Sequence, residues 1–163
     1  HWLHVFEALA IKESLKVHAG LIDSIDWGRL EHAYGPATDA PKELANLIGN
    51  DEDDRDDAVN GFLYSSAYHQ GSVYSCTPSV IQCVIYIIEN EDISSLETIG
   101  APLIRELLCF ISICSVTWRF VPEIGEAAFL GYSSYVQYMD HPDSKTAGYA
   151  KELVEFCNAY KNS

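Results

Sequence analysis

His69-Gln70-Gly71-Ser72-Val73-Tyr74-Ser75-Cys76-Thr77-Pro78 carries a helix stop and a helix start within ten residues. Gly71 can end a helix. Pro78 can begin one, because proline lacks the N–H that a first turn leaves unbonded and its ring presets φ. Thr77, just before it, is a candidate N-cap. Beyond it, Val80, Ile81, Val84, Ile85, Ile87 and Ile88 cover most of a helical circumference, so a helix over 78–90 needs neighbours on both sides. Its β-branched residues would also suit a strand, but its length and its proline start decide for a helix. The decapeptide therefore reads as a break between two stacked helices, with His69, Gln70, Gly71, Tyr74 and Pro78 as the structural turn.

Outward from this break, the other segments also read as helices. Upstream lies a helix over Ala58–Tyr68 with Phe62, Leu63 and Ala67 at helical spacing, preceded by Asp51-Glu52-Asp53-Asp54-Arg55-Asp56-Asp57 as a solvated loop feeding its first turn. Before that, Asp39 as N-cap and Pro41 in the first turn predict a short helix through Leu44, Leu47 and Ile48, ended by Gly49-Asn50. A helical turn is expected over Trp27–His32, and an amphipathic helix over residues 2–18. Downstream, Gly100-Ala101-Pro102 opens an apolar helix over Leu103–Trp118. Pro122 opens another through Tyr132, Tyr135 and Tyr138, read as a packing stripe, to Met139. Asp143 or Ser144 caps a last helix carrying Ala147, Ala150, Leu153, Val154, Phe156 and Cys157. About seven helices, short breaks and no convincing strand alternation predict an all-α single domain over 1–163, with antiparallel helix pairs stacked on one another.

Composition narrows the function classes. The net charge is −14 and is spread along the chain, −8 up to Ile81 and −6 after it. Phosphate backbones would be repelled over most of such a surface, which excludes nucleic acid as an expected partner and favours a basic protein, although acidity also serves plain solubility. The longest nearly apolar run, Leu107–Trp118, falls short of the ~20 residues of a spanning helix, so no membrane segment is expected. Five scattered cysteines without a C-x-x-C pair suit reduced, buried thiols. No basic n-region followed by an apolar h-region is visible, and the expectation is a cytoplasmic protein. Zinc would need clustered ligands, and a calcium loop in the 51–57 run would need a glycine and a distal glutamate that are missing, so no metal or cofactor is expected.

The patches Ile25-Asp26-Trp27-x-x-Leu30-x-His32-Ala33-Tyr34-Gly35-Pro36-Ala37-x-Asp39-x-Pro41-x-x-Leu44, Asp54-Arg55-x-x-Ala58 and His69-Gln70-Gly71-x-Val73-Tyr74-x-x-Thr77 resemble the amino-terminal part of bacterial HEAT-repeat-like proteins, over roughly residues 25–88. The resemblance implies an α-solenoid, a superhelix of stacked helix pairs. Some members of that group sit beside toxin genes and look like immunity proteins, so it also implies a protein that binds and neutralises a basic toxin domain, such as a nuclease. The alternatives are a generic HEAT-type scaffold and, from another class, an enzyme.

No nucleophile elbow, zinc-protease, P-loop or dinucleotide fingerprint occurs. The enzyme alternative would centre on His69 and Cys76, brought close by the break. Sequence shows no partner to orient His69, and cysteine is among the most readily buried residues, so no catalytic residue is assigned. A HEAT-like DNA glycosylase would need a basic concave face, which ten basic residues against 24 acidic ones do not supply. The residues expected to bind a protein partner are Asp51, Glu52, Asp53, Asp56 and Asp57, with Tyr64 and Tyr68 as anchors on the following helix.

Overall fold

The structure is a computed structural model that describes residues 20–163. The helix expected over 2–18 lies outside the described residues. Trp27–Arg29 form one 3-10 turn, anchored by the Trp27 indole, whose Nε1 donates to the Ile22 carbonyl at 2.9 Å. The helical turn expected through His32 stops there. The next residues pair instead as a hairpin, β1 (Glu31–His32) with β2 (Gly35–Pro36), His32 opposite Gly35.

Helix α1 (Ala40–Asn46) starts with Pro41 in its first turn and buries Ala40 and Leu44. Asp39 occupies the cap position in helical geometry but makes no capping bond. Asp51 does cap. It is extended, at φ −99° and ψ 123°, and its Oδ1 accepts the N–H groups of Asp53 at 2.8 Å and Asp54 at 3.2 Å. Helix α2 therefore starts at Glu52, six residues before the expected Ala58, and the acidic run is its first turns rather than a loop. Three carboxylates in that turn complement the positive end of the helix dipole.

From Ala58 to Ala67 the same helix widens to π-helical geometry. The Tyr68 N–H reaches back five residues to the Leu63 carbonyl, and the Ser65 and Ser66 hydroxyls donate to the carbonyls of Asn60 and Gly61, also five back. Two hydroxyls thus supply bonds along the wide turn.

At the decapeptide the chain forms a second hairpin, β3 (Tyr68–His69) with β4 (Ser72–Val73). Its two-residue turn has Gln70 at φ 47° and Gly71 at φ 89°. Both are left-handed, the geometry whose twist matches that of paired strands, and glycine takes the second position without a Cβ clash. Thr77 is not the cap of the next helix. Fully buried, its hydroxyl donates to the Ala67 carbonyl at 2.6 Å and accepts the Tyr74 N–H at 2.8 Å, tying the end of α2 to the hairpin's exit. Helix α3 (Thr77–Asn90) follows and buries Val80, Ile81, Cys83, Val84, Ile85, Ile87 and Ile88.

A third hairpin, β5 (Glu97–Thr98) with β6 (Ala101–Pro102), turns through Ile99-Gly100 and delivers α4 (Leu103–Ser115). These three hairpins are small additions to a mostly helical chain. Two-residue strands contain no alternation to read. The helix expected from Pro122 to Met139 is two, α5 (Pro122–Phe129) and α6 (Tyr132–Tyr138), broken at Gly131. Tyr135 folds back over that glycine, and its hydroxyl donates to the Ala128 carbonyl at 2.6 Å. A Cβ on Gly131 would lie 2.6 Å from the phenol. Helix α7 (Ser144–Lys161) is capped by Asp143.

Helix α7 packs along α4 and α6, α3 lies against α5, and α2 lies beside α1 and α4. The buried side chains join into one contiguous apolar cluster. The protein is predominantly helical. No helix among the described residues is long and apolar enough to cross a membrane.

Candidate functional site

Hairpins one and two lie side by side at the carboxyl end of α2. The Ala33 N–H donates to the Ser66 carbonyl at 3.0 Å, the Glu31 N–H to the Ser75 hydroxyl at 2.8 Å, and the Cys76 N–H to the Glu31 carbonyl at 3.1 Å. Their tips bring His32, Tyr34 and His69 together, with the Tyr34 ring edge-on to both imidazoles at 6.3 and 5.7 Å. His32 is oriented at both nitrogens. Nδ1 accepts the Tyr34 N–H at 3.1 Å, so Nε2 carries the proton, shared with Asp39 Oδ1 at 2.9 Å. This is where the expected Asp39 cap went. In His69 the assignment is reversed, because Nδ1 sits 3.0 Å from the Ser65 carbonyl, which can only accept. His69 and Gln70 thus belong to the hairpin, and His69 holds a carbonyl of the π-helical segment.

Cys76, the nucleophile of the enzyme alternative, is fully buried. Burial, with the Asp39 charge adding to it, pushes its thiol up to about 12. A thiolate is then a negligible fraction at neutral pH. Among the described residues no group of three His, Cys, Asp or Glu side chains could hold a metal ion.

The acidic residues gather at the opposite end of α2, roughly 20 Å away at 1.5 Å per residue. Glu52, Asp53, Asp54 and Asp57 are exposed. Asp51 spends its carboxylate on the α2 cap, and Asp56 Oδ1 accepts the Ile99 N–H of hairpin three at 3.2 Å. Arg55, only 7% exposed, points inward, where Nε donates to the Glu97 carbonyl at 2.9 Å and Nη1 to the Gly49 carbonyl at 2.6 Å. Its charge therefore joins the 49–51 loop to hairpin three.

The two tyrosine anchors do not join this surface. Tyr64 donates its hydroxyl to the Glu106 carbonyl at 3.0 Å and sets its ring edge-on to Phe110, and burial raises its phenol well above the ordinary range. Tyr68 is half-buried in β3, at the hairpin end.

Sequence reasoning missed what surrounds the acids. Ile99, at the tip of hairpin three, is 64% exposed beside Asp56. A cleft of ≈ 400 Å³ opens between the end of α1 and the 91–96 loop, with Ala45, Ile48, Ile93 and Leu96 against Glu91 and Asp92. One signal was present in the sequence. Between Glu43 and Ile104 there are 11 acidic residues and a single basic one, Arg55.

A second cleft, of ≈ 520 Å³, lies between α4 and α7, where the Arg119 guanidinium sits 4.4 Å from the centre of the Trp118 ring. Phe120 beside it is 89% exposed. No family model matches the chain, and no curated protein or solved structure shows significant similarity to it.

Proposed function

We propose that this chain is a non-enzymatic protein-binding module of HEAT-like helix pairs, and that the end of the molecule carrying the start of α2, the 91–96 loop and hairpin three binds a basic protein surface. One observation carries the reading. The stretch from Glu43 to Ile104 holds a single cation, and that cation is buried with its donors on two backbone carbonyls. Arg105, the next basic residue, is taken by Asp143. The carboxylates of Glu52, Asp53, Asp54 and Asp57 are therefore not neutralised from within this stretch, and exposed Ile99 among them offers an apolar contact. Such a field steers a basic partner to the surface and disfavours acidic ones.

In its most specific form the reading is a bacterial cytoplasmic immunity protein whose partner is a basic toxin domain. The resemblance of residues 25–88 supports that form, and the burial of Cys76 weighs against an enzyme that would use its thiol. Co-expression with the product of the adjacent gene tests it. Rescue of growth together with a complex that weakens in salt is expected. Neither rescue nor complex would contradict the immunity reading.

A further inference from the structure

We propose that the cleft between the end of α1 and the 91–96 loop receives one lysine or arginine side chain of that protein partner, its alkyl stem on the apolar floor and its cation against the Glu91 carboxylate. The inference rests on the partner-binding reading above and deepens it.

The floor comes from Ala45, Ile48, Ile93 and Leu96, and ≈ 400 Å³ leaves room for a long side chain. Glu91 lines the same cleft. Its Oε1 is buried and has no hydrogen-bond partner among the described residues, the one side-chain polar atom there of which this is true. Buried polar atoms are nearly always satisfied, because a lost water bond without a replacement is costly, so a carboxylate with one oxygen closed to solvent and unbonded is poorly solvated and gains from a cation seated in the cleft beside it. Burial also raises the Glu91 pKa, and a cation alongside would reverse that shift.

The backbone favours the same sign of charge. Helix α3 ends at Asn90, immediately before Glu91, and α1 ends at Asn46 on the other wall, so two sets of terminal carbonyls lie near the cleft. Asp92, at the rim, holds the Ser94 hydroxyl at 2.7 Å, and that bond keeps its carboxyl below the usual range. Arg55, the one cation of this stretch, has its Nε and Nη1 donors on carbonyls elsewhere. An occupant with an apolar stem and a cationic head matches the floor and the carboxylate together.

The test uses n-hexylammonium as the side-chain probe and 1-hexanol as its uncharged counterpart, read by methyl NMR shifts of Ile48, Ile93 and Leu96. Saturable shifts with hexylammonium, at an affinity roughly tenfold above that of hexanol, are expected, and Glu91→Gln is expected to remove the difference. Equal binding of the two probes to the wild-type protein would overturn the proposal without reference to any variant. Spermidine that fills the cleft at micromolar concentration would overturn the assignment to a protein side chain. A partner complex that survives Glu91→Gln but weakens on charge reversal at Asp53 and Asp57 would overturn the cleft assignment alone. Such a result would leave the partner reading standing.

Discussion

Arg105 meets Asp143 as a two-pronged fork, Nε to Oδ2 at 2.8 Å and Nη2 to Oδ1 at 2.6 Å. The same carboxylate accepts the Thr146 N–H at 3.0 Å and its hydroxyl at 2.7 Å, so one side chain both caps α7 and binds that helix to α4. The bonds from Arg105, and then those from Thr146, hold the Asp143 carboxyl well below its usual range.

A pH dependence follows from that depression. Because the folded-state value lies below the unfolded one of about 3.9, the Asp143 contribution is fully present above roughly pH 4 and is lost as pH falls through the folded value. Thermal unfolding of the wild-type protein should show a midpoint that drops on acidification below about pH 4. In Asp143→Asn the midpoint should be lower at neutral pH and the acid limb flatter. An unchanged acid limb would remove Asp143 from the account.

The thiols act at the other end of the pH scale. Burial pushes Cys76, Cys83 and Cys157 each up to about 12. Unfolded thiols ionise near about 8.5, so the stability these groups contribute is complete below that value and is lost as pH rises towards 12. Urea midpoints should fall between about pH 8 and 10, and Cys83→Ala should shallow the fall. At neutral pH, Cys109, which is only partly buried, should be the first thiol to react with a maleimide.

The break between α5 and α6 depends on a close approach. Gly131→Ala should destabilise by about 1–3 kcal/mol, because its methyl would meet the fully buried Tyr135 ring, which has no room to retreat. Tyr135→Phe should cost about 1 kcal/mol through the lost hydroxyl bond, the Ala128 carbonyl keeping the Gly131 N–H at 3.2 Å. Chemical denaturation of both variants checks the two values.

Arg55 is the tie between α1's exit and hairpin three. Arg55→Met should cost about 2–3 kcal/mol, the scale of hydrogen bonds from a charged donor, and should speed amide exchange at the tip of hairpin three. Arg55→Lys should recover only part of this, since one ammonium does not match two diverging carbonyls as the guanidinium fork does.

The helices were legible wherever a proline opened them, at Pro41, Pro78 and Pro122, and wherever an apolar face was wide, as over Val80–Ile88. The hairpins were not, because each strand is two residues long and alternation needs more. The start of α2 is hidden because its first turns are almost wholly acidic, and only the Asp51 cap reveals them as helix. The break at Gly131 depends on a ring four residues away. The acidic run is plain in the sequence, whereas the cleft is not. It exists only because the 45–50 segment folds against the 91–96 loop, and no local pattern announces an orphaned oxygen on Glu91.

Calorimetric titration of the full chain with the product of the adjacent gene, at about 50 and about 500 mM salt, measures whether the acidic end of the molecule binds a basic partner. A complex is predicted that weakens roughly tenfold or more between the two salt concentrations, and again in the Asp53→Lys, Asp57→Lys double variant. Binding that ignores both salt and charge reversal, or no binding at all, would contradict it.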